Sequence, residues 1–173
     1  MNKVQEAREK YRPETVKLLF IAEAPPCREG HFFYFENVPK GDSLFMHVIR
    51  AVFPDLNDME TKELRVRKEE MLFRFAESSC FLEDSVSVAI PKGTKNKEKI
   101  ILEHQADLIK RIEPYKSTAK VVLLSSGVYK MNYEALKNEG FNIFNDFMIP
   151  FPGSGQQGKF KEGIAKLELS ILF

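Results

Sequence analysis

Residues 150 to 160, PFPGSGQQGKF, place Gly153, Gly158 and Lys159 at the G-x-x-x-x-G-K spacing in which backbone amides cradle phosphates and a lysine reaches them. The Ser or Thr that would hold magnesium after the lysine is replaced by Phe160. Three further stretches carry residue types able to do chemistry. EAPP, from Glu23, sets a carboxylate beside two prolines; HFFYF, residues 31 to 35, is a run of rings; PKGTKNKEK, residues 91 to 99, spaces Lys92, Lys95, Lys97 and Lys99 along one segment. Together they offer a carboxylate, stacking surfaces and phosphate binders. Each also has a plainer reading: Glu23 as a loop or cap carboxylate, the rings as core, the lysines as a solvated loop, and the glycines as a turn leading into a helix.

Positioning such residues requires a scaffold, and the apolar pattern supplies one. Val16 to Ala22 (VKLLFIA) is a strand-length run too apolar to face water, the signature of a central strand in a parallel sheet. A short polar helix at 3–11, closed by Pro13, precedes it, and a long Pro- and Gly-punctuated loop follows. Asp42 or Ser43 caps a helix carrying Leu44, Phe45, Val48, Ile49, Val52 and Phe53, which Pro54 ends. A charged helix is expected over 58–78, a second strand within 80–90, a basic loop at 91–99 and an amphipathic helix at 100–112 stopped by Pro114. Lys120 to Ser125 is a third strand, Tyr129 to Asn138 a helix capped by Gly140, Asn142 to Ile149 a fourth strand, and Lys159 to Ile171 a final helix. Strand and helix alternate four times. The expected fold is therefore α/β, three layers α/β/α around a mostly parallel four-stranded sheet, with ligands at the loops after Ala22, strand two, Ser125 and Ile149.

Composition narrows the class. The chain has 173 residues, 43% hydrophobic and 29% charged, and fits one globular domain over 1–173. A net charge of +1 argues against a general nucleic-acid coat protein, while a local basic patch remains compatible with gripping a backbone. Two cysteines, Cys27 and Cys80, fall short of the four thiolates of a zinc or iron-sulfur centre and read as free thiols; no metal or cofactor is expected. The start is charged, without the apolar core of a signal peptide, and no apolar run approaches the ~20 residues of a membrane span. These features predict a cytoplasmic monomer with no membrane partner.

LLFIAEAPP resembles the first motif of the uracil-DNA glycosylase superfamily, nearest its thermophile-type iron-sulfur members, in which strand one ends in Gly-Glu-Ala-Pro-Gly. Glu23, Ala24 and Pro25 agree, and Ala22 and Pro26 replace the glycines. LEHQADLIKRIEPYKSTAKVVLLSSG is similar to that family's helix and third strand, and IPFPG sits where the family has its His-Pro motif. The resemblance implies a uracil-DNA-glycosylase-like fold and a DNA glycosylase that binds an extruded base, uracil or a related lesion, in single-stranded or lesion-containing duplex DNA. The alternative is a non-catalytic nucleic-acid or nucleotide-binding module on the same fold. A nucleotide-hydrolysing reading of 150–160 fits less well, because such a loop normally follows the first strand.

Carried over by position, the resemblance makes Glu23 the carboxylate that orients water, and Phe33 or Phe35 the ring that stacks on the base. Asp84 reads the base edge if CFLED is strand two; if SVSVAI is the strand, the site lies nearer Pro91. Phe151 falls at the family's histidine, and can neither donate a hydrogen bond nor carry charge. Ala24 stands where mesophilic members have an aspartate, as it does in the thermophile-type members, and the cluster cysteines are missing. The expected contacts to the DNA backbone are Lys92 and Lys95 in the basic loop, and Ser154, Gln156, Gln157 and Lys159 in the glycine-rich turn.

Overall fold

The run LLFIA is buried throughout because it forms β1 (Leu18–Ala22), a strand with a neighbour on each side. In the computed structural model, which describes residues 2–153 and 155–169, β1 pairs in parallel with β2 (Cys80–Asp84) and with β3 (Lys120–Leu123). The registers are Leu18 opposite Cys80 and Leu18 opposite Lys120. A short β4 (Asn142–Ile143) joins the far side of β3, so the order is β2-β1-β3-β4 and every pairing is parallel. A strand covered on both faces needs apolar side chains on both, which is why β1 shows no alternation.

Among the described residues there are eight α-helices: α1 (Lys3–Lys10), α2 (Ser43–Val52), α3 (Thr61–Val66), α4 (Lys68–Glu77), α5 (Lys97–Glu103), α6 (Gln105–Ile112), α7 (Ser126–Asn138) and α8 (Gln157–Ala165). α2, α3, α4 and α8 pack in one group, and α5, α6 and α7 in another. With the sheet, these two groups are consistent with a three-layer α/β/α arrangement. Among the described residues no helix is long and apolar enough to cross a membrane.

Several expected boundaries move. The helix expected over 58–78 breaks at Arg67 (φ −92°, ψ 19°) into α3 and α4, and Lys68, the next residue, is buried. The helix expected at 100–112 begins earlier, at Lys97, and breaks at His104 (φ −94°, ψ 1°). Lys97 and Lys99 therefore stand on α5, and the basic loop shrinks to 91–96. Gly140 closes α7 as anticipated: at φ 84° its N–H bonds to the Lys137 carbonyl and the Phe141 N–H to that of Leu136, both at 3.0 Å.

The strand expected over 142–149 is strand only at its first two residues. Asn145 replaces the rest of the pairing with its side chain. Its Oδ1 accepts from the Leu123 N–H (2.9 Å) and its Nδ2 donates to the Leu123 carbonyl (3.1 Å), after which the chain loops out and returns at Ile149 beside Leu124. Asn145 is completely buried. Asn145→Ala leaves both Leu123 groups unpaired in the core, and is expected to lower unfolding free energy by about 2 kcal/mol in a urea titration. A change near zero would mean that water takes over both partners.

Candidate functional site

In a sheet of this kind ligands bind at the carboxyl ends of the strands, where the strand order reverses. Here the chain runs from β1 outward to β2 and then crosses to β3 on the other side of β1. An open cleft of about 650 Å³ lies at the exit of β1. Its walls come from Glu23 to Arg28 after β1, from Ile90 to Gly93 after β2, from Asp42 and Ser43 at the start of α2, and from Phe151. The exit of β3 does not line it. Ser125 turns there at φ 80°, ψ 150° and caps α7, its Oγ accepting from the Val128 N–H at 3.3 Å.

The EAPP backbone is held by the segment after β2. The Ser85 N–H donates to the Ala22 carbonyl at 2.7 Å and the Val86 N–H to that of Glu23 at 2.9 Å. This fixes the Glu23 backbone while its side chain stays partly exposed. Its Oε1 accepts from Lys97 Nζ at 2.6 Å. Arg28 and Lys92 line the same cleft, and among the described residues neither has a carboxylate within 4 Å. Asp42, the other acidic residue of the wall, is already taken: its Oδ2 lies 2.7 Å from Lys68 Nζ. That ammonium also reaches the Phe32 carbonyl (3.3 Å) and sits 4.4 Å over the Phe45 ring. Burial pushes the Asp42 carboxyl up and the Lys68 ammonium down, and the pairing opposes both. Among the described residues no group of His, Cys, Asp and Glu is arranged to hold a metal.

The aromatic run divides. Phe33 lines the cleft but is only 4% exposed, its ring against Phe45, Tyr34 and Phe75. Tyr34 is fully buried, and its hydroxyl both accepts from the Leu82 N–H (2.7 Å) and donates to the Leu82 carbonyl (3.1 Å), closing the outer edge of β2. Phe35 faces away from the cleft, into a second, shallower hollow with Tyr11 and Glu36. It therefore does not stand beside Glu23, because the chain turns at Phe32, whose carbonyl bonds the Phe35 N–H. Phe151 is 41% exposed on the rim, not sealed in the core. Two contacts hold it: Ser43 Oγ donates to the Pro152 carbonyl, and the ring folds over Gly153, where a Cβ would stand 3.1 Å away.

CFLED is strand two, so Asp84 ends it, but Asp84 does not reach the cleft. Arg8 of α1 takes it instead, with Nη2 2.5 Å from Oδ2, inside a buried cluster that Glu83 and Arg111 complete. Burial pushes the Asp84 carboxyl up to about 7, against the pull of Arg8. The folded state then holds this proton between about pH 4 and pH 7 while the unfolded chain releases it, so stability from this site is full below about pH 4 and fades as pH rises through 7. Thermal midpoints are expected to fall from pH 5 to pH 8, and Asp84→Asn to flatten that slope. An unchanged slope would mean that Arg8 keeps Asp84 ionised throughout.

The glycine-rich stretch does not keep the G-x-x-x-x-G-K spacing within one loop. Gln157 already begins α8, so Gly158 and Lys159 lie within a helix that follows the edge strand, and Phe160 is buried with its ring edge-on to His47. Gln156, Gln157 and Lys159 are not on the cleft wall, and neither is Lys95; Lys92 is. Ser154 lies outside the described residues.

No known protein family matches the chain, and no curated protein is significantly similar to it. The site therefore stands on its own geometry.

Four of its residues escaped the sequence reading as site members. Lys97 was visible only as one lysine among four, and its place at the first turn of α5 brings it to Glu23. Arg28 carried no signal in an irregular loop. Asp42 read as a helix cap, yet its side chain makes no capping bond and turns to Lys68, whose burial no periodicity announced. His31, counted only within the run of rings, has its ring nitrogens at 3.1 and 2.7 Å from the Glu29 and Lys40 carbonyls and ties together the loop that forms one wall. Both cysteines are free; Cys27 Sγ donates to the Ile90 carbonyl across the cleft mouth at 2.7 Å.

Proposed function

We propose that this chain is a divergent DNA glycosylase of the uracil-DNA glycosylase type, which binds an extruded base in the cleft and hydrolyses its N-glycosidic bond. The observation that carries the reading is the Glu23 carboxylate at the exit of β1, in an open cleft large enough for a base and its sugar and walled by Pro25, Pro26, Phe33 and Phe151. Breaking the bond between base and sugar leaves positive charge on the sugar. A carboxylate beside it stabilises that charge and orients the water that adds to the anomeric carbon, accepting its proton. The departing base carries the electron pair of the broken bond. In place of the family's histidine, the cations Arg28 and Lys92 supply compensating charge, and Phe151 supplies a face for stacking.

The test is incubation with single-stranded and duplex oligonucleotides carrying uracil, hypoxanthine, xanthine or an alkylated base, followed by alkali. Strand breaks at one or more of these lesions are the expected result. DNA binding without any abasic product would overturn the catalytic reading and favour a binding module on the same fold. Two observations favour that second reading: Glu23 is bonded to Lys97, and Phe151 has no donor to offer a leaving base.

A further inference from the structure

The cleft is cationic out of proportion to the chain. Arg28, Lys92 and Lys97 share a single carboxylate of the wall, Glu23, since Asp42 is matched by Lys68, whereas the whole protein carries only +1. Such a local excess within low-dielectric walls attracts an anion. Lys97 is the cation with a choice of partner. Its ion pair with Glu23 is short, 2.6 Å, but both side chains are substantially exposed, 48% and 28%. Exposed pairs of this kind contribute little, so exchanging one partner for another has a small cost. Lys97 also follows the exposed turn 91–96, where Gly93 at φ 80° has no atom within 4 Å of a Cβ position. The turn's own hydrogen bonds are local, from Thr94 to the Pro91 carbonyl.

We infer that Lys97 is a displaceable latch on Glu23: a ligand phosphate, bound with Arg28 and Lys92, draws Lys97 away and frees the carboxylate only when the cleft is filled. This rests on the placement of the ligand in the cleft given above, but not on the hydrolysis. The ligand is thereby a phosphate ester of a base-bearing sugar rather than a free base or nucleoside. That phosphate belongs either to a free nucleotide or to a nucleic-acid backbone.

The experiment is a calorimetric titration of the intact protein with thymidine, thymidine 5′-monophosphate and a six-residue oligothymidylate, at two salt concentrations. The phosphorylated probes are expected to bind at least tenfold more tightly than the nucleoside, less so at high salt. Glu23→Gln releases Lys97 without competition, so it is expected to tighten phosphate binding about two- to fivefold, and this gain is expected to vanish in the Lys97→Gln background. Binding of the monophosphate alone assigns the site to free nucleotides, and binding confined to the oligomer assigns it to a backbone; either carries the latch if the gain is present. A nucleoside bound as tightly as its monophosphate, no binding of any probe, or a gain that persists without Lys97 overturns it. Lesion cleavage without the gain sinks the latch alone; the gain without lesion cleavage sinks the glycosylase alone.

Discussion

Replacing Lys68 by methionine is expected to destabilise the protein by about 3–5 kcal/mol, the usual cost of removing one member of a buried ion pair. The mechanism is specific. Lys68 is wholly buried, and without it the buried Asp42 carboxylate loses the ammonium that bonds it at 2.7 Å. For a domain of this length the loss corresponds to a fall in thermal midpoint of roughly 10 °C. A second substitution identifies the cause: Lys68→Met combined with Asp42→Asn is expected to recover most of the loss, because no charge then remains to be buried. Guanidinium titrations of the single and double variants measure both values. A single variant within 1 kcal/mol of the parent would show that the Asp42 wall opens to water in solution.

Glu23→Gln is expected to reduce base excision by about 10²–10⁴-fold, the range that general-base work contributes. The fold is expected to survive, since the side chain bonds only to Lys97 and its backbone contacts to Val86 are unaffected. Single-turnover cleavage of the preferred lesion, with a thermal midpoint on the same preparation, checks both halves. Equal cleavage by the variant would reduce Glu23 to a partner for Lys97 and move water activation elsewhere.

Much of the scaffold was legible because burial on two faces writes itself into sequence. LLFIA and the VVL of KVVL read as central strands since their buried side chains must be apolar, and Gly140 read as a helix end since its left-handed backbone excludes most other residues. The failures share one cause, long-range polar contacts that local pattern does not encode. Asn145 imitates a strand with its side chain, so the fourth strand looked four times longer than it is. Asp84 read as a ligand to a base because the partner that buries it, Arg8, lies 76 residues away. The cleft wall was legible at Glu23, at the end of the first strand, and illegible where it depended on which charge pairs with which. Lys97, Arg28 and the Asp42–Lys68 pair belong to that second kind.

The sheet is built from its centre, and the centre is made first. β1 leaves the ribosome ahead of both its neighbours, and the pairing with β3 cannot close until synthesis has reached Leu123. At 5–20 residues per second that interval is roughly 5–20 s. For the first part of it β1 has no partner, and after β2 has been made the edge that will meet β3 is still open, which slows folding and invites association with other nascent chains. Glu23 follows directly on β1, so this carboxylate waits for its surroundings until Phe151, the last residue of the cleft wall, has been made.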